Sequence, residues 1–372
     1  MAWRMGSDVS EVRRAFLADH ARGLPLDALL ETYDISKSSA YALLKRSREM
    51  PLEKAVAERS RAPHTHPNIL GNDVVRRVLR LKKRYPQWGS KKLPELYVSE
   101  YGIAAPSSSS IHNILKIHGM TRINRKRGIH RESQTMTQAM RVNDVWSTDH
   151  KGKMSAFGVE PLTVIDLYSR YWLACRPSTD KSYHDTRTAF EELFDTVGMP
   201  LIIRIDAGQP WASPTGPLRL SKLSAWWVAL GLHVEIAPSC QENGCVERLH
   251  GTMQRDMNFA ANDVDKHFEK QRRLYNNVRP HEALNMATPS SIYQKSQRKP
   301  IERIFDPTAL GCDESRQVQC DGTFYWKGDQ LYLSKALAGR KVGLQRQPMN
   351  TWTVHYYELE LGSLSQKGFK AN

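Results

Sequence analysis

The sequence predicts a multidomain chain, with an α/β core between an all-α front and a small all-β end, and three observations predict it. The texture changes twice: helical patterns run to about residue 120, strands and helices alternate from about residue 143, and short strands with turn signals come after RKPIERIFDP. The charge is lopsided. Residues 1–140 carry 25 Lys and Arg against 13 Asp and Glu, while residues 141–372 carry 29 against 26. At 372 residues the chain also exceeds one ordinary domain.

The front reads as helices joined by short turns. Leu24, Leu26, Leu29 and Leu30 supply the apolar side of one helix, Asp34 and Ile35 make a turn, and Ser36 is a cap candidate for the next. A helix, a tight turn and a polar, basic second helix form the helix-turn-helix pattern, in which Lys37, Ser38, Ser39, Tyr41 and Lys45 would face a major groove. Residues 51–70 are rich in Pro and charge and read as a linker. In a second helical unit Val75, Val78, Leu79 and Leu81 face inward, and Arg76, Arg77, Arg80, Lys82, Lys83 and Arg84 stay in water. Ser108, Ser109 and Ser110 are read as capping its last helix and as DNA contacts, which makes a second helix-turn-helix. The run TRINRKRGIHRE adds Arg122, Arg125, Lys126, Arg127 and Arg131, placed to touch phosphates between the readers and the core.

From VWSTDHKG onward three strands are followed by a helix, a strand (LIIRID), an amphipathic helix (LSKLSAWWVALG), a strand (HVEIAP) and a further helix. That is the order of a ribonuclease-H-like core. The aromatic-rich end, with Tyr325, Trp326, Tyr332 and Trp352, reads as a small SH3-like barrel, and the tail after Ser363 as loose. The expected division is 1–50 and 71–120 as helix-turn-helix domains, 51–70 and 121–140 as linkers, 141–298 as the core and 299–372 as the barrel.

Two aspartates stand at informative places in that core. Asp149 lies at the end of the first strand, and Asp206 ends LIIRID at an Ala207-Gly208 turn. If the first and fourth strands are neighbours the two carboxylates meet, and a divalent cation relieves their repulsion. Oxygen ligands suit Mg²⁺ or Mn²⁺ rather than zinc. A third ligand would come from QENGCVERLHGTM. Glu242 leaves 35 residues after Asp206 and Glu247 leaves 40. The shorter gap favours Glu242. However, its place before Asn243-Gly244 suggests a mobile approach to the helix, while Glu247 has a direction fixed by the helix.

The stretches VWSTDHKG, LTVIDLYSRY, IRIDAGQPWAS, QENGCVERLHGTM and YNNVRPHEALNMATPSSIY together resemble the DDE transposase and integrase superfamily, nearest to bacterial insertion-sequence transposases of family 481. The resemblance implies Asp149 as first acid and Asp206 as second. It implies Glu247 as third, in an NG-x-x-E-x-x-H helix with Asn243 and His250, leaving Glu242 as the fallback. It further implies two metal ions, roughly 3.5–4 Å apart. The reaction implied is cleavage at element ends followed by strand transfer, with no covalent protein–DNA intermediate. His150 and His250 flank acids and could orient a phosphate; Lys151 and Arg248 could touch DNA. One departure is Ala207, where the family usually has Asn; no His/Cys spacing matches a zinc domain.

The implied partners are double-stranded DNA, as terminal inverted repeats and target, and further copies of the chain, a dimer or larger. No run of about 18 apolar residues suggests a membrane span. Five cysteines without a CxxC pair suggest a reduced, cytoplasmic bacterial protein, at the nucleoid when on DNA. Two other readings stay open: a decayed DNA-binding regulator, and a plain ribonuclease-H-like hydrolytic nuclease. A paired-acid glycosidase is disfavoured by the basic charge.

Overall fold

The computed structural model describes residues 8–58, 70–121, 136–154, 157–238, 240–256, 263–366 and 368–372. The chain divides into two compact units, one ending at Gly71 and one starting at Asn72.

The first unit holds α1 (Val9–Ala21), α2 (Leu26–Thr32), α3 (Lys37–Glu49) and α4 (Leu52–Val56). Ser36 caps α3 by accepting from the Ser39 amide, satisfying one of the free donors of the first turn. Phe16, Leu29, Ile35, Ala40, Leu43 and Leu44 form the core. Leu24 lies outside α2 and is exposed. The stretch read as a linker begins as structure: α4 buries Ala55 and Val56, and Arg13 donates to the Val56 and Ala57 carbonyls at 2.9 and 3.1 Å. Two buried apolar side chains outweigh a charge-rich composition here.

The second unit opens with α5 (Asn72–Arg84), α6 (Leu93–Tyr101) and α7 (Ser108–Ile117). Val78, Leu81, Trp88, Leu93, Leu96, Tyr97, Ile111 and Leu115 are buried among them. Lys82 is buried rather than solvated. Its ammonium donates to the Pro86 and Trp88 carbonyls at 2.8 and 2.9 Å, replacing the water it leaves. The cap of α7 is Ser107, not the serines after it; its hydroxyl accepts from the Ser110 amide at 3.1 Å.

These helices dock on side chains much later in the sequence. Trp88 stacks on Tyr85, lies under the Arg279 guanidinium, and shares a small crevice with Thr252, Met253, Gln271 and Tyr275. Lys91 pairs with Glu282 at 2.9 Å, and Lys92 donates to the Pro280 carbonyl.

The core is a mixed sheet of β1 (Val145–His150), β2 (Leu162–Asp166), β3 (Trp172–Arg176), β4 (Ile202–Ile205) and β5 (His233–Ile236), in the order β3-β2-β1-β4-β5. The first three strands are antiparallel neighbours, and β4 joins β1 and β5 in parallel. That order fits a ribonuclease-H-like core. Alternation along β1 sends Trp146 to one face, with α8 (Tyr183–Val197) and α9 (Lys222–Ala229). It sends Val145 to the other, with α10 (Gly244–Asp256) and α11 (Val264–Asn277).

The helix α9 is not amphipathic: every residue from Leu223 to Leu230 is buried. Leu223, Trp226 and Trp227 face the core, while Ala225, Val228 and Ala229 face the C-terminal strands. Those strands are β6 (Glu314–Gln317), β7 (Thr323–Trp326), β8 (Asp329–Tyr332), β9 (Lys341–Gln347), β10 (Thr351–Tyr356), β11 (Leu359–Ser365) and β12 (Gly368–Ala371). They form an antiparallel sheet, β12-β11-β10-β9-β6, and a β7-β8 hairpin around one core containing Trp326 and Trp352. Tyr325 and Tyr332 stay exposed. The tail is paired, not loose: β12 lies along β11 from Gly368 to Ala371. No helix among the described residues is long and apolar enough to cross a membrane.

Candidate active site

The parallel pairing of β1 with β4 sets Ser147 against Arg204. Two residues further along each chain stand Asp149 and Asp206, on the face that α10 covers. Gly208 donates its amide to Asp206 Oδ1 at 3.1 Å, which fixes the turn after the strand. Asn243, the last residue of the 3-10 turn before α10, and Glu247 and His250 on α10 succeed one another at helical spacing. Asn243 is buried and accepts from the Ser147 hydroxyl. His250 is buried with Nδ1 3.8 Å from Asp149 Oδ2 and Nε2 2.7 Å from the Thr163 hydroxyl. Glu247 lies exposed between them.

Electrostatics ties the three acids together. Burial pushes the Asp149 carboxyl up to about 7, and the negative charges of Asp206 and then Glu247 push the same way. The backbone bond at His150 and the ammonium of Lys181 oppose the rise. His250 is held neutral, its value lowered to about 3 by burial and then by Lys151 and His150.

In donor chemistry the residues fit a hard divalent cation: oxygen donors only, with mutual repulsion that a cation would relieve. In spacing the cluster is open. Among the described residues no three His, Cys, Asp or Glu side chains are gathered as a metal ion would need.

Glu242 sits in a 3-10 turn, Cys240–Asn243, so the mobile approach read from the sequence is an ordered turn. Among the described residues its Oε2 is buried with no hydrogen-bond partner. Helical order begins one turn earlier than the Asn-Gly pair suggests.

His150 does not join the site. The alternation of β1 turns it to the opposite face, where it stacks on Trp211 at 5.0 Å and faces Thr186 and the Glu160 carbonyl. The residue is 6% exposed, and its contacts are with packing neighbours rather than with the acids.

The residues expected at DNA are scattered. Lys37, Ser38, Tyr41 and Lys45 are exposed on α3, while Ser39 is half-buried in its own cap. Ser109 is exposed; Ser108 and Ser110 are half-buried, and Ser110 bonds to Ser107. Lys151 is half-buried, near enough to His250 for its charge to act on that ring, and Arg248 is exposed on α10. Arg122, Arg125, Lys126, Arg127 and Arg131 lie outside the described residues.

Two partners of the site were missed in the sequence: Ser147, which holds Asn243, and Thr163, which bonds both the Asp149 carbonyl and His250. The signal was a hydroxyl at a core-facing position in WSTD and in LTVID, where an apolar residue would be ordinary.

Residues 232–289 match the family model described as Integrase core domain, a span covering β5, α10 and α11 and holding Glu247. Two solved structures are similar at low levels. The catalytic core domain of HTLV-2 integrase, in complex with magnesium and trimeric, aligns over 100% of its length and 42% of this chain, at 15% identity and a TM-score of 0.34. A simian T-cell lymphotropic virus intasome in complex with PP2A regulatory subunit B56 gamma aligns over 97% of that chain and 76% of this one, at 12% identity and a TM-score of 0.36. The strand order of the sheet and the family match over residues 232–289 fit an integrase-type core. They support the integrase and transposase superfamily as its class.

Proposed function

We propose that this chain is a DNA transposase of the insertion-sequence type, nearest family 481, which cuts element ends and joins them to target DNA. The observation that carries the reading is the influence of both Asp206 and Glu247 on Asp149: carboxylates at the end of β1, just past β4 and on α10, open in spacing yet near enough for their charges to raise the Asp149 carboxyl. Like charges brought together in a half-buried place cost stability, which a structural role would not explain.

In this reading Asp149, Asp206 and Glu247 hold Mg²⁺ or Mn²⁺. The bound cations supply Lewis acidity at a phosphate and a more acidic water. The chain's own residues do the rest. Asn243, tied to Ser147, fixes the start of α10 on the sheet. His250 stays neutral beside Asp149. Lys151 and Arg248 offer positive charge to a DNA backbone at the mouth of the site. The exposed α3 and the helices α5–α7 read the element ends as helix-turn-helix units, and the C-terminal strands, as an SH3-like barrel, bind backbone or a second copy. The domain limits expected from composition and charge belong to the same proposal.

The test is an assay with the full chain, Mg²⁺ or Mn²⁺, and duplexes taken from the DNA flanking its coding sequence. Metal-dependent nicks that leave a 3′-hydroxyl, followed by joining to a plasmid, support the proposal. Cutting without joining makes it a nuclease. Binding without cutting makes it a regulator.

A further inference from the structure

The core sheet has an open edge at β5, the last strand in the order β3-β2-β1-β4-β5. A parallel partner is bonded by every second residue of a strand. The His233 amide donates to the Leu201 carbonyl at 3.0 Å and the Ala237 amide to the Ile205 carbonyl at 2.8 Å, so residues 233, 235 and 237 turn toward β4. Val234 and Ile236 turn their amides and carbonyls the other way, and among the described residues those four groups have no hydrogen-bond partner. Sheets commonly blunt such an edge with proline, a bulge or an inward charge. The strand β5 has neither proline nor bulge, and Arg204 takes up the charge of Glu235 on the α10 face. A slot of about 480 Å³ runs beside this edge. Its lining includes Val234 and Ile236, Val228 of α9, Leu220, and Arg303 and Leu359 from the C-terminal part of the chain.

We propose that this slot takes an extended peptide segment of a partner protein, which pairs with Val234 and Ile236 as a sixth strand and seats alternate apolar side chains between α9 and β11. A row of unpaired amides and carbonyls is matched by an extended backbone. The apolar lining selects the side chains. Val234 and Ile236 point to the α9 side, and a paired strand aims every second residue the same way. The volume selects a lone strand over a second copy, whose own β5 edge would bring helices on both faces of its sheet into the slot. Arg303 and Glu358 at the slot neutralise each other, with Nη2 and Oε2 3.0 Å apart. The net charge of +15 then sets the surrounding field and favours acidic flanks on the segment. Neither the edge nor the slot depends on the chemistry of the acids.

Two measurements test it. The first is hydrogen exchange on the full chain, read by mass spectrometry with fragmentation that separates neighbouring amides. The probe is an octapeptide of alternating valine and threonine with a glutamate at each end. Alone, the chain should exchange the Val234 and Ile236 amides at least about tenfold faster than those of His233 and Glu235. With the probe bound, the first two should slow by a similar factor. Slow exchange at every chain concentration means an edge already covered, and overturns the proposal. Protection that grows with chain concentration, with dimers in sedimentation, gives the edge to a second copy and overturns it too.

The second is binding of the same peptide, carrying a fluorophore and followed by polarisation. Only one alternate set of its backbone nitrogens faces the edge. Methylating that set should weaken binding about 10- to 100-fold, and methylating the other set should leave it unchanged. On the chain, Val234→Pro removes an outward donor at an edge position, where proline is tolerated. Leu218→Glu puts a charge on a slot residue already 36% exposed. Each should lower affinity at least about tenfold. Leu218→Glu should keep the parent's melting temperature, so it carries the test even where Val234→Pro unfolds. Equal affinity for the two methylated peptides, a Leu218→Glu chain that binds like the parent, or a probe that does not bind overturns the proposal.

Discussion

Asp149 and Asp206 occupy equivalent steps of two adjacent parallel strands, each two residues past the paired Ser147 and Arg204. Burial first, and then the charge that this register brings beside it, raise the proton affinity of Asp149. Asp149 moves from 3.8 to about 7, so between those values the folded chain keeps a proton that the unfolded chain has released. Stability therefore falls as pH rises through that window and levels off above about 7. Asp149→Asn should melt higher than the parent at pH 8, by about 1–2 kcal/mol, and no higher at pH 4. Thermal melts at the two values check this. Equal shifts at both would mean that the charge costs nothing.

Mn²⁺ binding has the opposite slope, because the cation competes with that proton. Affinity should rise from pH 5.5 to about 7 and then flatten. Thermal shift on added Mn²⁺ reads it, and an affinity independent of pH would remove Asp149 from the ligand set.

Substitution separates the acids. Asp149→Asn, Asp206→Asn and Glu247→Gln should each bring strand transfer down to background while end binding persists. Glu242→Gln should leave most activity, since that carboxylate lies in the turn before α10, whereas Glu247 is among the charges that raise Asp149. Gel assays of binding and joining, run side by side, decide it. Loss with Glu242→Gln and survival with Glu247→Gln would exchange the two roles.

The strand order of the core was legible because each strand is a short β-branched or aromatic run, closed by a turn, and the two aspartates mark strand ends. What was not legible depends on contacts from distant residues. Lys82 has a solvated residue's composition, but two carbonyls formed by the turn after α5 take it inside. The helix α9 shows one apolar stripe in the sequence, and its second buried face exists only because β-strands about a hundred residues later cover it. Thr163 could not be matched to Asp149 without the register of β2 on β1. His150 and His250 look alike as neighbours of acids; only strand alternation and helix placement divide them.

The docking of α5–α7 changes what a truncation should do. Trp88 is 2% exposed and lies against Arg279 and Tyr275. Trp88→Ala should cost about 3–5 kcal/mol by leaving a cavity. A chain starting at Asn72 should melt like the parent's second unit, because the division falls there. A chain starting at residue 121 should melt lower. The lost DNA affinity of the Asn72 chain should be steeply salt-dependent. An unchanged melt for Trp88→Ala would make the helices a loosely attached reader.

Beside Ser147 on the α10 face, Arg204 pairs with Glu235 at 2.8 Å, with both side chains nearly buried. Thr137 joins them: its amide donates to Glu235 at 2.8 Å and its carbonyl accepts from Arg204 at 2.5 Å. The pair thus holds the approach to β1 against β4 and β5, directly under the acid pair. A buried ion pair stabilises little beyond a good apolar pair, but half of one is costly. Arg204→Met and Glu235→Leu should each destabilise by about 3–5 kcal/mol, and the double variant by clearly less than either. Denaturant melts of the four chains measure the coupling. Additive losses would mean that Arg204 and Glu235 are held by their other contacts, and that Thr137 alone anchors the entry to β1.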